Sequence, residues 1–144
     1  MTPRDVLLAC VCLVAAAAAA CNNSTGPQNL AGTYNYTVPN LNGTGVGCSV
    51  NVTMMLTQQS ATLGGTYTGT RTCSSSAGNK TDPISGAVVN AQINRDSVYF
   101  DFDSSAWHNA GVIVGTGLQG SVTARISPFG TATDVAGDFT AIRQ

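Results

Sequence analysis

The chain has 144 residues, enough for one domain, and carries a net charge of −1 with only 9% of its residues charged and no glutamate. That balance excludes nucleic acid or an anionic membrane surface as an electrostatic partner, since either needs a basic patch. Sixteen glycines, with abundant threonine and serine, favour strands and tight turns over helices.

Residues 1–20 read as a signal peptide. "MTPR" brings a positive charge, and "VLLACVCLVAAAAAA" is an uncharged apolar run, too short to cross a bilayer and ending in small residues. The "AAAC" at its end resembles the lipobox of bacterial lipoproteins, although Ala18 stands where leucine is usual. The resemblance implies cleavage before Cys21, which then carries the lipid (palmitate is the label that would report it). An ordinary signal peptidase reading "A-x-A" would cut the same bond and leave a bare thiol. Asn22 stands where lipoprotein sorting places an inner-membrane retention aspartate, so the resemblance implies the outer membrane, in a cell envelope that has one.

The five cysteines are then accounted for. Cys10 and Cys12 leave with the signal, Cys21 takes the lipid, and Cys48 and Cys73 remain as one disulfide in an oxidising compartment. Residues 21–29, "CNNSTGPQN", are polar and aperiodic and read as a flexible tether to a domain over 30–144.

From Leu30 onward the pattern has period two. Leu30, Gly32, Tyr34, Tyr36 and Val38 share one face, as do Cys48, Val50, Val52, Met54 and Leu56. Val98, Phe100 and Phe102 point inward, with Tyr99, Asp101 and Asp103 outward. "AWHNAGVIVG", "LQGSVTARI" and "VAGDFTAIR" continue the alternation, and no amphipathic helix is visible. Turns are expected in "PNLNGTGVG", "QQSA", "SSSAGNKTDP", "NRD", "SS" and "SPFG". About eight short antiparallel strands in a meander follow from this spacing. A turn at Ser60–Ala61 sets Cys48 opposite Cys73, Val52 opposite Gly69, Met54 opposite Tyr67 and Leu56 opposite Gly65. One register thus satisfies pairing, burial and the disulfide together.

A motif of apolar residue, any residue, glycine, any residue, apolar residue recurs as "LAGTY", "LGGTY", "ISGAV", "LQGSV" and "VAGDF". In each copy the glycine shares the buried face, where it marks strong coiling or close backbone approach. Small closed barrels need such places. With "GTY" at Gly32–Tyr34 and "GGTYTGT" in an early hairpin, the chain resembles the calycin-type barrels, the lipocalins and avidins. The resemblance implies an all-β, up-and-down barrel with Arg143 closing its base. The chain departs from avidins in having a single tryptophan, Trp107, and from lipocalins in showing no C-terminal helix, so no binding residues are carried over.

Catalytic chemistry is poorly supplied. His108 is the only histidine, and no nucleophile–base set, metal cluster or cofactor motif can be assembled around it. Asp101 and Asp103 read as solvated strand residues that discourage edge pairing rather than as calcium ligands. Tyr36, Tyr67, Phe100, Phe102 and Trp107 are the candidates to line a ligand cavity, or else they fill the barrel, since about eight strands leave room for side chains or one small ligand. The sequence therefore points to a non-catalytic binding module without a cofactor, holding a small apolar ligand in its barrel. The alternative is a protein-interaction or protease-inhibitor-like barrel acting through "PNLNGTGVG" and "CSSSAGNKTDP".

Overall fold

The computed structural model describes residues 28–103 and 106–144. The expected signal peptide and tether, with Cys21, fall on residues 1–27 and lie outside the described residues. The alternating segments become eight antiparallel strands: β1 (Gly32–Gly43), β2 (Val46–Gln59), β3 (Thr62–Ser75), β4 (Gly78–Asn94), β5 (Ser97–Phe102), β6 (Trp107–Val114), β7 (Gly117–Ile126) and β8 (Thr133–Arg143). Each pairs with the next, and β8 pairs back to β1, so the sheet closes into an up-and-down barrel. Closure buries one face of every strand. That is why the period-two pattern is so clear in β2, where Val46, Cys48, Val50, Val52, Met54 and Leu56 all point inward.

The β2–β3 hairpin has the register that the sequence implies. Its turn is Ser60–Ala61, and the ladder runs unbroken from Gln59↔Thr62 through Leu56↔Gly65, Met54↔Tyr67 and Val52↔Gly69 to Cys48↔Cys73 and Val46↔Ser75. Cys48 and Cys73 are joined by the expected disulfide, a cross-link whose loop size contributes about 3 kcal/mol through the unfolded state.

The recurring glycines separate into two kinds. A Cβ built on Gly65, Gly120 or Gly137 would collide with the backbone carbonyl of Met55, Ala110 or Asn40 on the adjoining strand. These are close approaches of coiled strands. At Gly32 and Gly86 the space is taken instead by side chains, those of Arg143 and Asp103.

Two of the expected loops are strands. "PNLNGTGVG" is the top of the β1–β2 hairpin, turning only at Thr44–Gly45, with a register shift between Val38 and Leu41 that accommodates Pro39. "CSSSAGNKTDP" is likewise the top of the β3–β4 hairpin, paired up to Ser75↔Gly78. Polar and glycine-rich sequence suggested loops, but the ladder continues because its outward residues face water. The wall made by these hairpins is tall, whereas β5 and β6 have only 6 and 8 residues. β4 meets β5 only from Val88 onward. Above that point it pairs with β3 alone, and Pro83, which has no N–H to offer, stands on this stretch.

Candidate functional site

The five sequence-predicted cavity residues come together in the barrel interior, where each is almost wholly buried. Tyr36 is at their centre. Its ring stacks on Phe139 at 5.2 Å between centroids and meets Phe102 edge-on at 5.2 Å. Phe100 approaches the same ring at 6.4 Å and Phe139 at 5.7 Å. Tyr67 stacks on Phe102 at 4.0 Å, and Trp107 lies 6.1 Å from Phe102 on its other side. The rings thus make their principal contacts with one another, so a ligand in their midst would displace ring–ring packing.

Two members of this cluster are missing from the sequence-predicted set. Phe139 belongs to the last copy of the glycine motif. Asn109 is the one polar residue buried with the apolar core among the described residues. It accepts a hydrogen bond from the Tyr36 hydroxyl at 2.7 Å and donates its amide to the Phe100 carbonyl. The alternation carried a signal for it, since Asn109 falls on the inward register between Trp107 and Gly111. Burial holds the Tyr36 phenol well above its ordinary pKa, so the hydroxyl stays a donor.

One end of the barrel, here the base, is closed by the segment that precedes β1. Leu30 is buried there, and Gln58 accepts from the Leu30 N–H while donating to the Gln28 carbonyl. Arg143 donates to the carbonyls of Ala31 and Asn29, and its guanidinium lies 6.0 Å above the Tyr34 ring. Burial raises the Tyr34 pKa, and the nearby Arg143 charge partly offsets it.

The opposite end, the mouth, is built differently. Arg71 on β3 and Lys80 and Asp82 on β4 occupy inward-facing positions of the tall wall. Asp82 bridges both cations, at 3.3 Å to Arg71 and 3.2 Å to Lys80. Partial burial acts to raise the Asp82 pKa, but the hydrogen bonds and charges of Lys80 and Arg71 outweigh it and hold the carboxyl below its ordinary value. Lys80 also donates to the Pro128 carbonyl at 3.0 Å. Strand β4 and the β7–β8 loop are not neighbours in the barrel, so this contact reaches across the mouth. The loop leans inward there, with Pro128 buried and Phe129 packed against the core. Toward this end of the barrel, among the described residues, two N–H groups are buried without a hydrogen-bond partner, Arg71 Nε and Trp107 Nε1.

The outer wall carries the remaining polar chemistry. His108 Nδ1 lies 2.9 Å from Asp101, whose second oxygen accepts from Asn90. Asn90 adopts a positive φ of 52° at the irregular step between Val89 and Gln92, which turns its amide toward Asp101. Asp101 and Asp103 are solvent-accessible as expected, but they do not stand side by side on one strand. Asp101 is held by His108 and Asn90, whereas Asp103 lies past the end of β5 with its carboxylate over Gly86. A shallow trough of about 460 Å³ runs beside His108 toward the exposed Arg125–Asp134 pair. A second, of about 670 Å³, lies over Ala110 and Ser121 with the exposed Tyr99 on its edge. Among the described residues, no three His, Cys, Asp or Glu side chains are grouped to hold a metal ion. Compared with known protein families, with curated proteins and with solved structures, the chain matches none.

Proposed function

We propose that this protein is an exported bacterial lipoprotein, tethered through Cys21 to the outer membrane, whose barrel is a non-catalytic binding module. The reading places binding at the mouth, and one observation carries it. The base is closed by residues 28–31 and Arg143, so residue 28, to which the proposed tether is joined, is held at that end. The charged, loop-covered end then faces away from the anchor. A small ligand with an apolar body would enter by displacing Pro128 and Phe129 and would rest on the outer rings of the cluster, Trp107, Phe102 and Tyr67.

A second reading is favoured by the packed interior. With the rings in mutual contact, the tall β1–β2 and β3–β4 hairpins offer their rim to a protein partner instead, as an inhibitor-like barrel would. Two measurements test the proposal. Radioactive palmitate should label the wild type and not Cys21→Ala, and equal labelling of both would remove the anchor. Native mass spectrometry of the purified protein should show a small co-purified mass lost on denaturation. A partner protein recovered on the rim, with no small mass present, would favour the second reading.

A further inference from the structure

We propose that the mouth beneath the β7–β8 loop is a site for an oxyanion, the acidic head of a small amphipathic ligand. This rests on the small-ligand reading and gives that ligand a charge. Three observations bear on this end of the barrel. Arg71, Lys80 and Asp82 place two cations against one carboxylate on inward positions at the mouth end of β3 and β4. Arg71 Nε and Trp107 Nε1 are buried N–H donors without an acceptor, and a buried donor left unpaired is costly. The cover is a loop held across the mouth by the hydrogen bond from Lys80 to the Pro128 carbonyl.

Inward charges on a half-open strand also discourage edge pairing, and that accounts for Lys80 and Asp82. It does not account for the orphaned indole, or for an arginine whose Nε is sealed from water. Both are donors and neither can accept, so what they lack is an acceptor. An oxyanion supplies several. On binding, Lys80 exchanges the Pro128 carbonyl for the anion, which frees the loop, and the apolar body takes over the contacts of Phe129.

Trp107 is the only tryptophan, so its indole N–H gives one assignable nuclear magnetic resonance signal on the bound acceptor's path. Octanoate, octanol and inorganic phosphate are titrated in turn against the purified protein. Octanoate and phosphate should move the indole signal and octanol should not. Arg71→Gln should weaken octanoate by about tenfold or more, the loss of one charge-assisted contact. If that variant does not fold, Lys80→Gln at the half-exposed rim should weaken both anions, with the circular dichroism spectrum confirming that the barrel is intact. Phosphate moving the signal with octanoate no tighter would keep the oxyanion site and sink the apolar ligand. Octanol binding as well as octanoate, with both variants unchanged, would overturn the oxyanion site while sparing the binding-module reading. No response to any of the three overturns both.

Discussion

Tyr36→Phe isolates the polar contact at the centre of the barrel. The substitution keeps the ring, and with it the stacking on Phe139 and the edge contact with Phe102. It removes the hydroxyl that Asn109 Oδ1 accepts at 2.7 Å. Asn109 is 3% exposed, so its oxygen is left without a donor in a site that water does not reach. Removing one partner of a buried hydrogen bond costs about 1–3 kcal/mol, more than the bond's net worth, because the desolvation of the other partner is no longer offset. For a domain of this size, 2 kcal/mol corresponds to a drop of roughly 8 °C in the unfolding midpoint. Thermal and urea unfolding of Tyr36→Phe, Asn109→Leu and the double variant give the cycle. The double variant should recover part of the loss, with a coupling of about 1 kcal/mol. A Tyr36→Phe protein within about 0.5 kcal/mol of wild type would refute the reasoning, because Asn109 would then have another donor and the interior would be wet.

Gly65→Ala should cost at least about 2 kcal/mol, since its Cβ meets the Met55 carbonyl at φ +149°, whereas Gly115→Ala, in open space at a turn, should cost about 1 kcal/mol; equal urea midpoints would undo the close-approach reading. The Asp82 carboxyl is held low in the fold, so its contribution is complete above the unfolded carboxylate value of about 3.9 and is lost as pH falls from there through the folded value. Urea midpoints on that acid side should therefore fall more steeply for wild type than for Asp82→Asn, and parallel slopes would exclude the bridge as the cause. Replacing both Cys48 and Cys73 by alanine should lower stability by roughly 3 kcal/mol, while non-reducing peptide mapping of the wild type should recover the two cysteines joined. Free thiols at both positions would contradict the hairpin register.

Much of the barrel was legible because one register has to serve several constraints. Cys48 and Cys73 can bridge only if they face each other, and the same alignment places Met54 against Tyr67 on the buried side. The glycine motif was legible for the same reason, since its flanking residues fix which face is inside. The tops of the hairpins were not. Asn, Gly, Ser and Thr suit both turns and the solvent face of a strand, and only the ladder partners decide between the two. The mouth was hidden for a different reason. Lys80 and Pro128 are 48 residues apart, and nothing local in either segment shows that closure of the sheet brings one over the other. Asn109 lay within reach of the alternation, but an asparagine between Trp107 and Gly111 signals a buried hydrogen bond only once Tyr36 is known to face it.

The seam between β1 and β8 has a consequence for how the molecule comes into being. Seven of the eight strand pairings join sequence neighbours and can form as the chain emerges, hairpin by hairpin. The eighth joins β1 to the 11-residue β8, so the cylinder cannot shut until β8 is in place. Until then β1 and β7 each present a bare edge, and the aromatic cluster lacks Phe139. A chain truncated before Thr133 is therefore an open curved sheet with two adhesive borders, prone to pair with its own copies.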